Sequence, residues 1–342
     1  MSSFSMTCCE IRPAMPKRFL SLAFALLLAG CAGAPPAPTP PSPPQVPTPV
    51  VEVLDFETPV IQDRAPARRY SAEEGRALER RSGYRVDHSV RSAGVNQRVR
   101  YLVIHYTGGD DAAALRALTG SQVGTHYLVL DQPGEFQQQP VVLQLADESM
   151  RAWHAGVSAW GDREGLNDTS IGIEIVNPGF TQTPSGLSWS PFSESQIQLV
   201  IALAKDIVQR YDIEPTNVVA HSDISPGRKL DPGPFFPWQR LAQAGVGAWP
   251  ERATVARYLN QFSNGRVPSV RALQQGLARY GYRLEQTGRM DDQTLRVLKS
   301  FQMRFRPTDH TGFYDAESAA ILFALIEKYH GPAQAGAILA SS

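Results

Sequence analysis

Residues 171–176 read IGIEIV. β-branched side chains fill four of these six positions, which favours a strand. Because successive side chains of a strand point to opposite faces, Ile171, Ile173 and Ile175 share one face and Glu174 lies on the other. A carboxylate amid such a strand is costly unless it is paired or used in chemistry, or unless that face of the strand is wet. The stretch predicts a central strand of a layered domain.

Runs of the same kind occur on both sides of this stretch. They are residues 99–104 (VRYLVI), 127–130 and 218–220. A helix signal stands between them, where Ser193 opens a capping box and apolar residues follow at helical spacing. Interleaved strands and helices predict an α/β domain, with a central mixed β-sheet flanked by helices, over residues 71–250.

A second domain is expected after residue 260. Residues 287–294 (TGRMDDQT) recur in altered form as residues 311–318 (TGFYDAES), and in each copy an aspartate stands where it can cap a following helix. An earlier helical stripe ends at Gly281, a residue type common at helix C-caps. The pattern predicts a small three-helix domain over residues 260–332.

The composition excludes some functions. The 342 residues carry 33 basic and 33 acidic side chains, so there is no positive surplus for a nucleic-acid backbone, and no nucleic-acid partner is expected. All three cysteines lie within the first 31 residues, which leaves no thiol for a disulfide or a metal site in the rest of the chain. A metal there must bind to His, Asp or Glu.

The N-terminal segment has the features of a signal peptide. A Lys-Arg pair precedes an apolar run of 11 residues, 19–29, which is too short to span a bilayer. Residues 28–31 (LAGC) resemble a bacterial lipobox, in which the cysteine is lipid-modified. Residues 1–31 are therefore predicted to be a lipoprotein signal peptide with Cys31 as the lipidation site. Ordinary secretion with cleavage nearby is the alternative, and Met15 is a second candidate start.

Residues 32–70 are rich in proline and predict an extended tether. With a lipid on Cys31, this tether would hold a folded body away from a membrane surface. By the sorting rule of enterobacterial lipoproteins, Ala32 in place of an aspartate indicates the outer membrane. The expected location is therefore the outer membrane, lipid-anchored and facing the periplasm.

Two histidines and an aspartate form a candidate metal site. His105 ends the first central strand, His221 ends another, and Asp231 follows ten residues later in a loop stiffened by prolines and glycines. Two imidazoles and one carboxylate are typical of catalytic zinc and leave a fourth position for water. If Glu174 points into the same cleft, it can serve as general base. Ser222 is a weaker candidate for a nucleophile, because the chain has no G-x-S-x-G motif.

Several separated blocks of the sequence resemble a known family. They are HYT at 105–107, THYLV at 125–129, WHAG at 153–156, SIGIEIVN at 170–177 and VVAHSDISPGRKLDPGPFFPW at 218–238. In content and order they are similar to the zinc-dependent N-acetylmuramoyl-L-alanine amidases related to bacteriophage lysozyme-amidases and peptidoglycan-recognition proteins. The C-terminal repeat resembles a peptidoglycan-binding domain. The order of lipobox, tether and two domains resembles the lipoprotein amidases of the Gram-negative outer membrane.

The resemblance implies a role for each matching residue. His105, His221 and Asp231 would hold Zn²⁺, Glu174 would be the general base, and Lys229 would stabilise the oxyanion. The implied reaction is hydrolysis of the amide bond between N-acetylmuramic or anhydro-muramic acid and L-alanine, in peptidoglycan and muropeptides. The expected partners are these substrates and, through the lipid, a membrane; no protein partner is expected. Three residues are weaker candidates for lining the substrate cleft: Trp153, His154 and Asn177.

Two other functions stay open on the sequence. A catalytically silent peptidoglycan receptor would bind muropeptides, although binding alone does not require all five site residues. A zinc peptidase acting within the stem peptide would need a different ligand pattern, and no H-E-x-x-H motif is present. The helical domain lacks the metal-ligand set and is expected to add avidity for the insoluble wall. A cut after about Trp249 would then leave cleavage of soluble fragments nearly intact.

Overall fold

The computed structural model describes residues 68–263 and 265–341. The predicted signal peptide, its Cys31 and nearly all of the predicted tether lie outside the described residues. Within the described ranges, no helix combines the length and the apolar character that crossing a membrane requires.

Contacts divide the chain after Asp87 into two units. In the first unit, helix α1 (Ala72–Ala77) opens with a capping box in which Ser71 accepts from the backbone N–H of Glu74. Strands β1 (Glu79–Arg80) and β2 (Arg85–Val86) follow and pair antiparallel.

The second unit, His88–Ser342, contains the sheet and the remaining helices. Its strands are β3 (Tyr101–Tyr106), β4 (Tyr127–Val129), β5 (Glu135–Phe136), β6 (Gln139–Pro140), β7 (Leu143–Gln144), β8 (Ala159–Trp160), β9 (Arg163–Glu164), β10 (Ser170–Ile175), β11 (Phe180–Thr183), β12 (Gly186–Trp189) and β13 (Val218–Ala220). Its α-helices are α2 (Asp111–Leu118), α3 (Glu194–Tyr211), α4 (His221–Ile224), α5 (Trp238–Gln243), α6 (Arg252–Phe262), α7 (Val270–Tyr280), α8 (Asp292–Phe305), α9 (Ala316–His330) and α10 (Pro332–Ala340).

The central sheet has the strand order β13-β3-β10-β4-β7. The first four strands are parallel, and β7 pairs antiparallel with β4, so the predicted mixed sheet is confirmed. Strand β10 lies between β3 and β4, as its apolar run predicts. The predicted helix after Ser193 is α3, which packs its buried residues Val200 and Ile207 into the core of the sheet.

The described part of the C-terminal region, residues 252–263 and 265–341, contains five helices. Three of them, α7, α8 and α9, are the predicted helices, and Asp291 and Asp315 cap α8 and α9 as expected. Helices α6 and α10 add to the predicted three and pack against α9. The two repeats share a further bond: the backbone N–H of Gly288 donates to Gln274 at 2.7 Å, and an equivalent bond of the same length joins Gly312 to Gln302.

The C-terminal helices and the sheet region share one hydrophobic core. Trp160 of the sheet region is 2% exposed and meets the rings of Tyr280 and Tyr282 edge-on, at centroid distances of 5.8 and 4.8 Å. Gly281 between these tyrosines leaves no space for a side chain, because a Cβ there would lie 2.4 Å from Cε2 of Trp160. The buried residues that the sheet region contributes to this cluster are Tyr101, Val103, Ala155, Trp160, Leu166, Val219 and Ile224. The shared core indicates that the two regions stabilise each other, which the sequence-based prediction for a cut after about Trp249 does not include.

A chain that ends at Trp249 is expected to be insoluble or to unfold at a much lower temperature than the full chain. An aromatic side chain buries about 150–250 Å², and truncation would return to water only the part of Trp160 that faces Tyr280 and Tyr282; about 100 Å² at about 25 cal/mol per Å² is about 2.5 kcal/mol. The other buried residues of the shared cluster add to this amount, and the whole stability of many domains is only about 5–15 kcal/mol. Soluble yield and thermal unfolding of the two chains measure the effect. A truncated chain that unfolds cooperatively near the Tm of the full chain would contradict the shared core.

Candidate active site

Adjacent parallel strands bring the predicted site residues to one edge of the sheet. His105 of β3 stands in register with Glu174 of β10, so both side chains emerge on the same face. On the other side of β3, Ala220 of β13 pairs with Ile104, and His221 follows directly. His221 does not end the strand, as the sequence suggests, but is the first residue of helix α4. The carboxyl ends of parallel strands meet at one edge, and this makes distant residues neighbours.

His105, His221 and Asp231 bring three potential ligand atoms together. Nδ1 of His105 lies 2.9 Å from Nδ1 of His221 and 3.1 Å from Oδ2 of Asp231. The distance from His221 Nδ1 to the same carboxylate oxygen is 2.9 Å. All three residues are buried. Within the described ranges, they are the one group of three or more His, Cys, Asp or Glu side chains with the geometry of a metal site.

The outer nitrogen of His221 carries a proton. Its Nε2 lies 3.3 Å from the carbonyl oxygen of Ala155, which can only accept a hydrogen bond. In the neutral ring, Nδ1 of His221 is therefore an unprotonated lone pair that faces the other two ligand atoms.

A chain of hydrogen bonds determines the tautomer of His105. The hydroxyl of Ser170 donates to the carbonyl of Leu166 at 2.7 Å, so it accepts from Nε2 of His154 at 3.1 Å. Nδ1 of the neutral His154 ring is then an acceptor, and Nε2 of His105 donates to it at 3.0 Å. Nδ1 of His105 is left as a second lone pair facing the cluster. Ser170 and His154 thus orient a candidate ligand.

Burial controls the charges of these groups. It lowers the pKa of His105 to about 4, an effect to which His221 adds. It also brings the pKa of His154 well below its usual range, again with neighbouring histidines contributing. Burial alone would raise the pKa of Asp231, but the neighbouring imidazoles of His105 and His221 outweigh it and hold that pKa below its usual range. At neutral pH the imidazoles of His105 and His154 are therefore neutral, and Asp231 is a carboxylate.

The donor set fits a divalent cation of the zinc type. Two imidazole lone pairs and a carboxylate oxygen lie about 3 Å apart, and lone pairs at such distances repel one another unless a positive charge lies between them. Two nitrogens and one oxygen are ligands that zinc accepts in catalytic sites. The second nitrogen of each imidazole is hydrogen-bonded, as is usual for metal-binding histidines.

Gly172 makes room for His154. It lies on the same face of β10 as Glu174, and a Cβ on Gly172 would stand 2.6 Å from Cγ of His154. A side chain at this position would therefore push His154 away from His105. The backbone N–H of Gly172 also donates to Nδ1 of His126 at 3.0 Å, so His126 supports the strand and is not part of the metal cluster.

Glu174 is half-buried, and its Oε2 atom is buried without a hydrogen bond to the described residues. Burial raises its pKa to about 8; the charge of Asp231 adds to the rise, and that of Lys229 opposes it. A carboxyl that takes up a proton near neutral pH has the property required of a general base.

The cluster opens into a cleft of about 350 Å³. Its polar lining includes Glu174, Lys229 and Asp231, and its apolar lining comes largely from helix α2. The α2 residues concerned are Ala113, Ala114, Ala117 and Leu118. Helix α2 was not predicted from the sequence, although Asp110 is a helix-capping signal and its side chain accepts from the backbone N–H of Ala113 at 2.7 Å.

The three weaker candidates have different surroundings. Trp153 lines the cleft and is 55% exposed. His154 also lines the cleft, but both of its ring nitrogens are used by His105 and Ser170. The structure does not bring Asn177 to the cleft. Its side-chain oxygen accepts from the backbone N–H of Gly179, which closes a turn, and its side-chain nitrogen donates to the carbonyl of Pro191.

Comparison with known proteins decides the family. Residues 95–234 match the N-acetylmuramoyl-L-alanine amidase family, and residues 266–322 match a peptidoglycan binding domain family. The chain is 46% identical to the N-acetylmuramoyl-L-alanine amidase AmiD of Escherichia coli (strain K12), over 74% of this chain and 92% of the relative. The chain belongs to the N-acetylmuramoyl-L-alanine amidases. This amidase is therefore an enzyme, and the reaction of its family is hydrolysis of the bond between the N-acetylmuramoyl group and L-alanine.

Two solved structures share the fold of the amidase. One is the Escherichia coli AmiD in complex with the substrate anhydro-N-acetylmuramic acid-L-Ala-D-gamma-Glu-L-Lys, with a TM-score of 0.68 at 46% identity, covering 75% of the amidase and 99% of that chain. The other is AMPDH3 from Pseudomonas aeruginosa in complex with anhydromuramic pentapeptide. Its TM-score is 0.66 at 44% identity, and it covers 71% of the amidase and 98% of that chain.

Proposed function

We propose that the amidase uses Zn²⁺, held by His105, His221 and Asp231, to hydrolyse the amide bond between N-acetylmuramic or anhydro-muramic acid and L-alanine. One observation carries the proposal: three potential metal-ligand atoms converge beside a cleft that Glu174 also lines. The complexes of AmiD and AMPDH3 with anhydromuramyl peptides support this class of substrate.

The chain's own residues move the protons of the reaction. When bound, zinc supplies a Lewis acid for the carbonyl and lowers the pKa of water to about 7. The carboxylate of Glu174 would take a proton from the attacking water while the water oxygen bonds to the lactyl carbonyl carbon. Glu174 would then give this proton to the nitrogen of L-alanine as the C–N bond breaks. The products are a muramic carboxylic acid, which loses its remaining proton to solvent, and a peptide with a free amine.

Lys229 is proposed to stabilise the oxyanion. Its side chain lines the same cleft as Glu174. A donor directed at a developing oxyanion in a site that excludes water contributes about 3 kcal/mol to lowering the barrier. The apolar face of α2 and the ring of Trp153 would then contact the uncharged parts of the substrate.

The proposal extends to the organisation of the chain. Residues 1–31 would direct lipidation of Cys31, residues 32–70 would be the tether, residues 71–250 would catalyse, and residues 260–332 would bind peptidoglycan. A lipid anchor would place the enzyme at the outer membrane, facing the periplasm. The match of residues 266–322 to a peptidoglycan binding domain family supports the wall-binding role.

A silent peptidoglycan receptor is the competing function. Such a protein needs a cleft of the right shape, but it does not need a carboxyl oxygen that is buried without a hydrogen-bond partner. Oε2 of Glu174 is such an atom, and because it destabilises the fold, the surroundings of Glu174 favour catalysis over binding alone.

Mass spectrometry of the products tests the reaction. The full-length protein, loaded with zinc, is incubated with a soluble anhydromuramyl tripeptide and, separately, with sacculi. We expect release of anhydro-muramic acid and of a peptide that begins with free L-alanine. Cleavage at another bond would favour a stem-peptide peptidase, and retention of uncleaved fragments would favour a receptor.

A further inference from the structure

The helix that presents His221 is a single turn. Helix α4 has four residues, His221–Ile224, and one isolated turn has no stability of its own. Two hydrogen bonds hold its start in place. The backbone N–H of Ala220 donates to Oδ2 of Asp223 at 2.9 Å, and the backbone N–H of Ser222 donates to the carbonyl of Asp231 at 2.9 Å. The position of His221 therefore depends on the position of Asp223.

Asp223 is held in turn by the C-terminal helical region. It is fully buried, and Nη1 of Arg304 on α8 donates to its Oδ2 at 2.7 Å. The hydroxyl of Tyr282, after α7, donates to its Oδ1 at 2.5 Å. Among the described residues, the hydrogen-bond donors to this carboxylate other than the Ala220 amide come from the C-terminal region.

Arg304 depends on the same contact. Its side chain is 1% exposed, and the guanidinium lies over the ring of Trp238 at 4.2 Å from the centroid. Its Nε and Nη2 atoms have no hydrogen-bond partner among the described residues. The buried charge is therefore balanced by Asp223 and by the aromatic face of Trp238.

A buried ion pair such as Arg304–Asp223 adds little stability by itself. Well-packed apolar residues of similar volume often stabilise a fold as much as a buried ion pair does, but an ion pair with directed hydrogen bonds specifies one geometry. The geometry specified here is that of α4, between the sheet and α8.

We propose that Arg304 and Tyr282 are positioning residues of the metal centre, acting through Asp223 to hold helix α4 and with it the imidazole of His221. This inference rests on the proposed function, in which His221 is a zinc ligand. The C-terminal region would then have a second role besides binding peptidoglycan, because it completes the support of the metal site.

Metal affinity of the full-length chain tests the inference without any turnover. Zn²⁺ affinity is measured by competition with a chromogenic chelator, and the visible spectrum of the Co²⁺ form reports ligand geometry. Arg304→Met should weaken Zn²⁺ binding about 10-fold, since loss of an outer-shell partner typically weakens affinity by about 10–100-fold. The Co²⁺ spectrum should change as well. Arg304→Lys keeps a positive charge beside Asp223 and should recover part of the affinity.

Arg306→Met is the matched control. Arg306 follows α8 two residues after Arg304, and its ion pairs are with Asp309, Asp315 and Glu317, all within the C-terminal region. Its replacement should lower the Tm but leave Zn²⁺ affinity within twofold of the parent. Unchanged affinity in a folded Arg304→Met chain, or equal losses in both variants, would overturn the inference.

Tyr282→Phe covers the case in which Arg304→Met does not fold. It keeps the ring against Trp160 and removes only the hydroxyl, so a smaller loss of Zn²⁺ affinity is expected. Parental affinity in this variant would overturn the inference and leave the proposed function standing. A parent chain that binds no zinc would refute the proposed metal centre, and the inference with it.

Discussion

Replacement of Glu174 by glutamine is expected to lower kcat by at least about 100-fold, because general-base catalysis contributes about 10²–10⁴-fold. The amide has the shape of the carboxyl but cannot take a proton from water. Zinc content and the affinity for a muropeptide should stay near those of the parent, since Glu174 is not one of the three clustered ligand residues. The measurements are steady-state kinetics with a soluble muropeptide, elemental analysis and a binding titration.

Glu135→Gln is the control for this experiment. Glu135 is an exposed residue of strand β5, and its neutralisation should leave kcat unchanged. Near-full turnover in the Glu174→Gln enzyme would assign the proton transfer to another group. Loss of zinc together with activity would instead show that Glu174 supports the metal site.

Replacement of His221 by alanine is expected to weaken zinc binding by more than about 100-fold and to abolish measurable turnover. Loss of a residue that only supports a metal ligand typically weakens affinity by about 10–100-fold, and loss of a ligand itself should exceed that. The remaining donors, His105 and Asp231, would provide two of the three ligand atoms. Zinc is quantified by elemental analysis after dialysis, and activity is followed on the same samples.

A chelator applied to the parent enzyme should have the same effect, and added Zn²⁺ should reverse it. His310→Ala is the control, because Nδ1 of His310 lies 2.9 Å from the carbonyl oxygen of Pro307 in its own loop and the residue lies outside the metal cluster. Full turnover in a preparation that elemental analysis shows to be free of metal would contradict the zinc mechanism.

Much of the site could be predicted from the sequence, because it depends on local patterns and on residue types. The alternation of residues 171–176 places Glu174 on the strand face opposite the isoleucines. In the structure, Glu174 of β10 and His105 of β3 lie on the same face of the sheet. The residue types His, His and Asp limit the chemistry to metal binding or acid–base work before any fold is known. Helix caps such as Ser193, Asp291 and Asp315 depend on neighbours only three residues away, which is why they could be predicted.

Local patterns could not predict how the C-terminal helices pack against the sheet region. Gly281 is a helix C-cap in the sequence, but its contact with Trp160 depends on how α7 packs against the sheet region. The periodicity of a helix identifies its buried face but not the surface that covers it. For this reason the sequence-based prediction for a cut after about Trp249 does not include the shared core.

The sequence by itself determined the α/β class with its mixed sheet, the helical C-terminal region and the amidase family, because these depend on local periodicity and on the order of residue types along the chain. Only the tertiary structure decided which atoms of the site meet. Nδ1 of His105 is the unprotonated nitrogen because His154, 49 positions away, accepts a hydrogen bond from its Nε2–H. Asp223 is held by Arg304, 81 positions away. Such contacts join residues that no local pattern connects, so their geometry is set by the packing of the whole chain.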